Sequence, residues 1–211
     1  MAKKPIKTST KKKTIELTEI LKNTNITYTG EVKHIPLQEL IYKPRSLKIY
    51  RINDNIKLPS FATKQSACFD LSFQAEGKHV YEGINQYCAP FSRPLHYGNI
   101  RIMPGDRILV PTGLFFDIPE GYSVRFHPRS GLSYNNGIVL ANLEGVIDSD
   151  YVNEIFVLLT NISETDFTIN NGDRIAQAEL VKSEVYTIEE TKTKPTQKTD
   201  RVGGLGSTGI K

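Results

Sequence analysis

The 211 residues contain no tryptophan, and cysteine and methionine occur only twice each. The two thiols, Cys68 and Cys88, fit neither a zinc-ligand spacing nor a disulfide framework, so apolar packing must hold the fold. Their scarcity makes an intracellular, reducing compartment the simplest reading, cytoplasmic, or nuclear if the host is eukaryotic. No apolar run approaches the ~18 residues of a membrane helix, which excludes a helical membrane span. The N-terminus lacks the apolar stretch of a secretory signal. No helix-turn-helix or finger pattern is present, so no specific nucleic-acid partner is expected.

What is present suffices for a sizeable core. Hydrophobic residues make up 38% and charged residues 24%, a globular composition for one domain with extensions or two small domains. The net charge of +4 is a property of the tail. Lys3, Lys4, Lys7, Lys11, Lys12 and Lys13 come without an acid among them, and the remainder of the chain is slightly acidic. Residues 1–13 read as a disordered, solvated leader, with weak nucleic-acid attraction or a nuclear address as the alternative.

Residues 1–45 form an N-terminal extension with short helices expected over Thr14–Lys22 and Pro36–Lys43, neither with a clear apolar stripe. From Leu47 the texture changes to short β-branched and aromatic runs. Ile108–Val110, Leu114–Phe116, Tyr122–Phe126, Gly137–Leu140 and Ile155–Thr160 are separated by turn signals such as Pro104-Gly105, Asn136-Gly137 and Asn171-Gly172. The pattern predicts an all-β domain over 46–190, a sandwich, jelly roll or small barrel. Residues 75–99 show no period and read as an ordered but irregular inserted loop. Residues 191–200 cannot bury a face and read as a linker. A glycine-rich strap then runs to 211, where backbone N–H groups can wrap an anion.

Several constellations could carry chemistry. In Pro128-Arg129-Ser130-Gly131-Leu132, Arg129 offers a planar fork, Ser130 a donor and Gly131 close backbone approach to phosphate; the same residues also make a common turn. Asn142 can pair with a base edge. Asp148 and Asp150 share one face of an extended chain and could activate water or hold a metal, or simply rim a polar hairpin. Gly172-Asp173 reads as a turn into a strand, from which Gln177 could face a polar ligand. Asp70 lies inside an apolar strand-like run, where a carboxylate must be paired or useful. Arg201 beside the terminal glycines resembles an arginine finger in its chemical logic. A P-loop is excluded, because there is no Walker A spacing.

Taken together and in this order, these motifs resemble the trimeric dUTPase family. They are Ala67-Cys68-Phe69-Asp70-Leu71, Pro128-Arg129-Ser130-Gly131-Leu132, Gly145-Val146-Ile147-Asp148-Ser149-Asp150-Tyr151, Gly172-Asp173-Arg174-Ile175-Ala176-Gln177 and Gly203-Gly204-Leu205-Gly206-Ser207-Thr208-Gly209. The resemblance spans roughly 47–74 and 100–211 and omits 1–45 and 75–99. It implies a distorted jelly-roll, or β-clip, fold in a homotrimer with shared active sites. It also implies Mg²⁺-dependent cleavage of dUTP to dUMP and pyrophosphate, which supplies dUMP for dTMP synthesis and keeps uracil out of DNA. On that basis Asp148 is the base that activates water. Asn142 and the backbone after it read uracil, with Val146, Ile147 and Phe156 also in the substrate site. Tyr151 packs under the deoxyribose and excludes a 2′-hydroxyl. Arg129, Ser130, Gly131 and Gln177 hold the phosphates, and Asp70 supports the metal through water. Arg201, Leu205 and Gly206 close over the nucleotide.

Three departures from the family pattern stand out. Cys68 replaces a usual Gly, Leu205 replaces a usual Phe, and one residue fewer separates Arg201 from the paired glycines. Two other readings were weighed. A dCTP deaminase on the same fold calls for a different pattern after Arg129-Ser130, with a deaminating Glu nearby. A binding module would retain the fold and grip a protein partner through 75–99; Asp70, Asp148 and Tyr151, all intact, favour the enzyme.

Overall fold

The computed structural model describes residues 45–200 and Gly203. The lysine-rich leader, the two short helices expected near the N-terminus, and Arg201, Leu205 and Gly206 lie outside the described residues.

The described chain is built from strands. In order they are β1 (Lys48–Arg51), β2 (Phe69–Ser72), β3 (Val80–Ile84), β4 (Pro90–Pro94), β5 (Ile100–Ile102), β6 (Arg107–Pro111), β7 (Leu114–Asp117) and β8 (Tyr122–His127). A single short helix, α1 (Ser130–Asn136), is followed by β9 (Ile138–Leu140), β10 (Gly145–Ile147), β11 (Phe156–Asn161), β12 (Phe167–Ile169) and β13 (Arg174–Lys182). The expected runs coincide with β6, β7, β8, β9 and β11. The architecture is all-β, as the spacing of turns and short apolar runs predicts.

Two larger sheets share one core. The first has the order β10-β8-β13-β2 and the second β4-β3-β6-β11-β9. Alternation sorts their side chains. On β6, Ile108 and Val110 point inward while Arg107 and Leu109 point out. On β11, Val157, Leu159 and Asn161 are inward. They meet Leu71, Val124, Phe126, Ala176 and Ala178 from the first sheet in one apolar cluster. Asn161 is fully buried among them, and its amide is satisfied: Nδ2 donates to the carbonyls of Ile102 and Thr165, and Oδ1 accepts from the Ser163 N–H. Pairs β1–β7 and β12–β5 close the ends.

Residues 75–99 are not the irregular loop that the aperiodic sequence suggests. They contain an antiparallel hairpin, Val80 opposite Pro94 through Ile84 opposite Pro90, and β3 also pairs with β6. A buried ion pair fastens it. The Arg93 guanidinium stacks 3.7 Å above the Phe91 ring and donates to Asp106, a carboxylate only 2% exposed that also accepts the Met103 N–H. Residues 183–200 carry no helix or strand, and from 184 onward they are exposed. Among the described residues, no helix is long and apolar enough to cross a membrane.

Removing one partner of a buried ion pair strands the other charge. Arg93→Ala should therefore destabilise the fold by about 3 kcal/mol, read as a lower urea midpoint. The Arg93→Met/Asp106→Asn double variant should recover most of the loss.

Candidate active site

One group of predicted residues gathers at the C-terminal end of β8. Gln177 on β13 pairs with His127 on β8 and with Asp70 on β2, so the three lie side by side. Arg129 follows β8 by two residues. Its Nε lies 3.2 Å from Asp70 Oδ1, and its Nη1 donates to the Arg174 carbonyl at 2.9 Å. Arg174 Nη1 donates to the other Asp70 oxygen at 3.0 Å. Asp70 is thus clamped between two guanidinium groups, which is the pairing that its apolar setting demands, and the cluster keeps one net positive charge. Gln177 Nε2 donates to the Pro128 carbonyl at 3.0 Å and holds the start of the Arg129 loop. A cavity of about 270 Å³ opens against Arg129 and Arg174, and another of about 380 Å³ against Asp70 and Arg174.

The Arg129 loop enters α1 directly. Arg129 is the extended cap residue, and Ser130 and Gly131 form the first turn, where backbone N–H groups have no intrahelical acceptor. A Cβ at Gly131 would meet nothing within 4 Å, so packing among the described residues does not demand glycine there. The helix ends at Gly137, whose left-handed φ of 65° lets its N–H return to the Ser133 carbonyl at 3.2 Å.

A second group gathers at the other end of β8. β10 pairs with β8 antiparallel, Gly145 opposite Phe126 and Ile147 opposite Val124. Val146, Ile147, Asp148, Tyr151 and Phe156 line one cavity of about 510 Å³, together with Asp150. Asp148 and Asp150 are exposed at its lip, and among the described residues neither forms an ion pair. Asn142 does not line this cavity. It is exposed in the turn that precedes β10, where Leu143 adopts a left-handed φ of 64°.

Sequence reasoning missed three participants. Arg174 was seen only as part of a turn-to-strand motif, although it is the second clamp on Asp70. Glu154 is almost buried; its Oε1 accepts the Gly113 N–H at 3.0 Å, and its carbonyl accepts the Tyr151 hydroxyl at 3.0 Å. Lys78, from the insertion, reaches Glu154 Oε2 at 2.9 Å. Two signals were available: Arg174 lies in the same short motif as Gln177, and Glu154 lies three residues from Tyr151. Nothing in the sequence placed Lys78 near them. Cys68, beside Asp70 and Glu179, is pushed above the usual thiol range by burial and then by those two carboxylates. No three His, Cys, Asp or Glu side chains form a metal cage among the described residues.

The comparisons agree with one another. The dUTPase family model matches residues 97–209. A deoxyuridine 5'-triphosphate nucleotidohydrolase of Nautilia profundicola is 40% identical over 167 residues, covering 77% of this chain and 98% of that protein. One from Brucella melitensis biotype 2 is 49% identical over 110 residues, covering 52% of this chain and 69% of its own length. The solved Staphylococcus bacteriophage 80alpha dUTPase with dUPNHPP is only 20% identical. It superposes with a TM-score of 0.62 over 79% of this chain and all of its own, and so speaks to the fold. With the family model covering more than half its length and the Nautilia relative aligned almost end to end, the chain belongs to the dUTPase family.

Proposed function

We propose that the chain cleaves dUTP to dUMP and pyrophosphate in sites assembled from more than one copy of itself, within a homotrimer. The observation that carries the assembly is the placement of the two groups on β8. Ile147 lies opposite Val124, and Arg129 is five residues further along. At 3.3 Å per residue that separation is on the order of 15 Å, and Asp148 continues in the opposite direction. A separation of that size speaks against a base at Asp148 and a phosphate fork at Arg129 serving one α-phosphorus within a single chain. A neighbouring copy supplies the missing half.

The chemistry then divides by cluster. The cavity against Tyr151 and Phe156 takes the deoxynucleoside, with the backbone of Val146 and Ile147 reading the base; Asn142, outside the cavity in this structure, is assigned to the base on the family resemblance. Tyr151 is pinned by its hydroxyl and leaves no space for a 2′-hydroxyl. Asp148, exposed and without an ion pair among the described residues, accepts a proton from the attacking water. Arg129, the first-turn N–H groups at Ser130 and Gly131, and Gln177 bind the triphosphate; open space at Gly131 fits a phosphate in close approach. Arg201, Leu205 and Gly206 are assigned to closure over the nucleotide.

A divalent ion fits a single-carboxylate donor set. Mg²⁺ commonly takes one or two carboxylates together with phosphate oxygens and water. Asp70 would serve it through water, with the triphosphate supplying the direct ligands. Bound there, Mg²⁺ supplies charge neutralisation on the phosphates. The solved phage phi11 dUTPase is described with a structural Mg(II) ion. An intracellular compartment suits this substrate and the free thiols. A protein partner on 75–99 is a second reading, favoured by Tyr87 and Tyr97, which are 81% and 101% exposed on the insertion.

Asp148→Asn keeps the shape and loses the base. Turnover should fall about 10²–10⁴-fold with little change in nucleotide affinity, measured by pyrophosphate release and equilibrium binding. Near-normal turnover would remove Asp148 from that role. The shared site has its own test. Asp148→Asn and Arg129→Ala homotrimers should both be inactive. Co-refolded in equal amounts, roughly a quarter of sites receive an intact Asp148 and an intact Arg129 from different chains. Activity should return to about that fraction, whereas mixed trimers that stay dead would place both groups in one chain.

A further inference from the structure

The insertion is wired into the deoxynucleoside cavity through one side chain. Lys78 sits in the turn that opens it, with its N–H bonded to the Ala75 carbonyl at 2.9 Å. The turn itself is tied to the body of the fold, since the Gln74 N–H donates to the Pro111 carbonyl and the Ala75 N–H to Asn171 Oδ1. From this anchored root the Lys78 ammonium does two things. It pairs with Glu154 at 2.9 Å, where the Glu154 side chain is only 12% exposed, and it lies 5.5 Å from the centre of the Phe156 ring. Phe156 and Tyr151 are both walls of the cavity that Asp148 faces. Glu154 in turn receives the Tyr151 hydroxyl on its carbonyl and the Gly113 N–H on its second oxygen.

We propose that Lys78 is a positioning residue for sugar selection: through Glu154 and Phe156 it holds the Tyr151–Phe156 segment in the shape that admits a deoxyribose and refuses a ribose. The family model begins at residue 97, so Lys78 lies outside the stretch it matches. The physical argument is one of stranded charge. Glu154 is nearly buried, and among the described residues its carboxylate without Lys78 keeps one neutral N–H partner, Gly113. A charge so placed turns toward water. That movement drags the backbone whose carbonyl holds Tyr151, and the Phe156 face has lost its cation with Lys78. Lys78 touches no reacting atom. Its effect is on the position of the wall, and it should appear in substrate preference before it appears in turnover.

The inference rests on the reading of Tyr151 as the sugar filter, so both are measured together in the full-length chain. The readout is the ratio of kcat/KM for dUTP to that for UTP. Lys78→Met should lower this ratio about tenfold or more, the usual scale for losing a charge-assisted hydrogen bond. kcat for dUTP should change less than about threefold, because Asp148 is untouched. Lys78→Arg, which keeps the cation, should stay near wild type. Lys78→Gln, which also removes the cation, should lower the ratio in the same direction, and it carries the test if Lys78→Met fails to fold. A wild-type ratio in folded Lys78→Met, or in Lys78→Gln in its place, overturns the proposal. Tyr151→Ala then separates the two ideas. If it loses discrimination, the sugar filter stands without Lys78; if it too keeps the ratio, the filter itself lies elsewhere.

Discussion

Ile147 lies opposite Val124 near the start of β8, and Gln177 lies opposite His127 at its end. That one strand sets the distance between Asp148 and Arg129, the proposed proton acceptor and phosphate fork. Its register cannot slip by a single residue without turning Val124 and Phe126 out of the core, where they are at most 3% exposed. The separation of Asp148 from Arg129 is therefore as stiff as the core itself. A chain with this geometry does not bring its own two halves together by bending a loop. On the shared-site proposal it borrows the missing half, and the site then exists only at the concentration where copies associate.

Most of the strand framework was legible because its burial is one-sided. Where one face meets the core, as on β6 and β11, alternation survives in the sequence and predicts the element. The hairpin of β3 and β4 was not legible, for a specific reason. Pro90 and Pro94 bracket β4, and proline within a run argues against a strand. β4 is an edge strand, where a missing N–H costs no ladder bond, and it is held by Arg93, Phe91 and Asp106 rather than by an apolar stripe. Helix α1 escaped notice in the same way. Ser130 to Asn136 contains no buried residue, and what ends the helix is the left-handed Gly137.

The site was legible to a different degree in each half. Asp70 announced that it needed a partner, because a carboxylate between Phe69 and Leu71 has no water to spare. Which partner it takes depends on β13 lying against β2, 104 positions away for Arg174, and no local pattern carries that information. Asp148 was singled out by its spacing from Asp150, whereas Val146, Ile147, Tyr151 and Phe156 came with it through the family resemblance, and the fold brings all five to one cavity although β10 and β11 lie in different sheets. Lys78 was missed because its role exists only in three dimensions, across 76 positions to Glu154.

The two clusters also differ in how their charge is managed. At the Arg129 end, Asp70 absorbs part of the field of Arg129 and Arg174, which offsets the repulsion between two guanidinium groups held close together and leaves one positive charge in excess. At the Asp148 end, Lys78 neutralises Glu154, and Asp148 and Asp150 stand exposed at the lip of the cavity. The two ends of β8 thus carry opposite charge, an excess guanidinium at one and two exposed carboxylates at the other. On the shared-site proposal that is the complementarity a contact between copies needs, since juxtaposed like charges would oppose association.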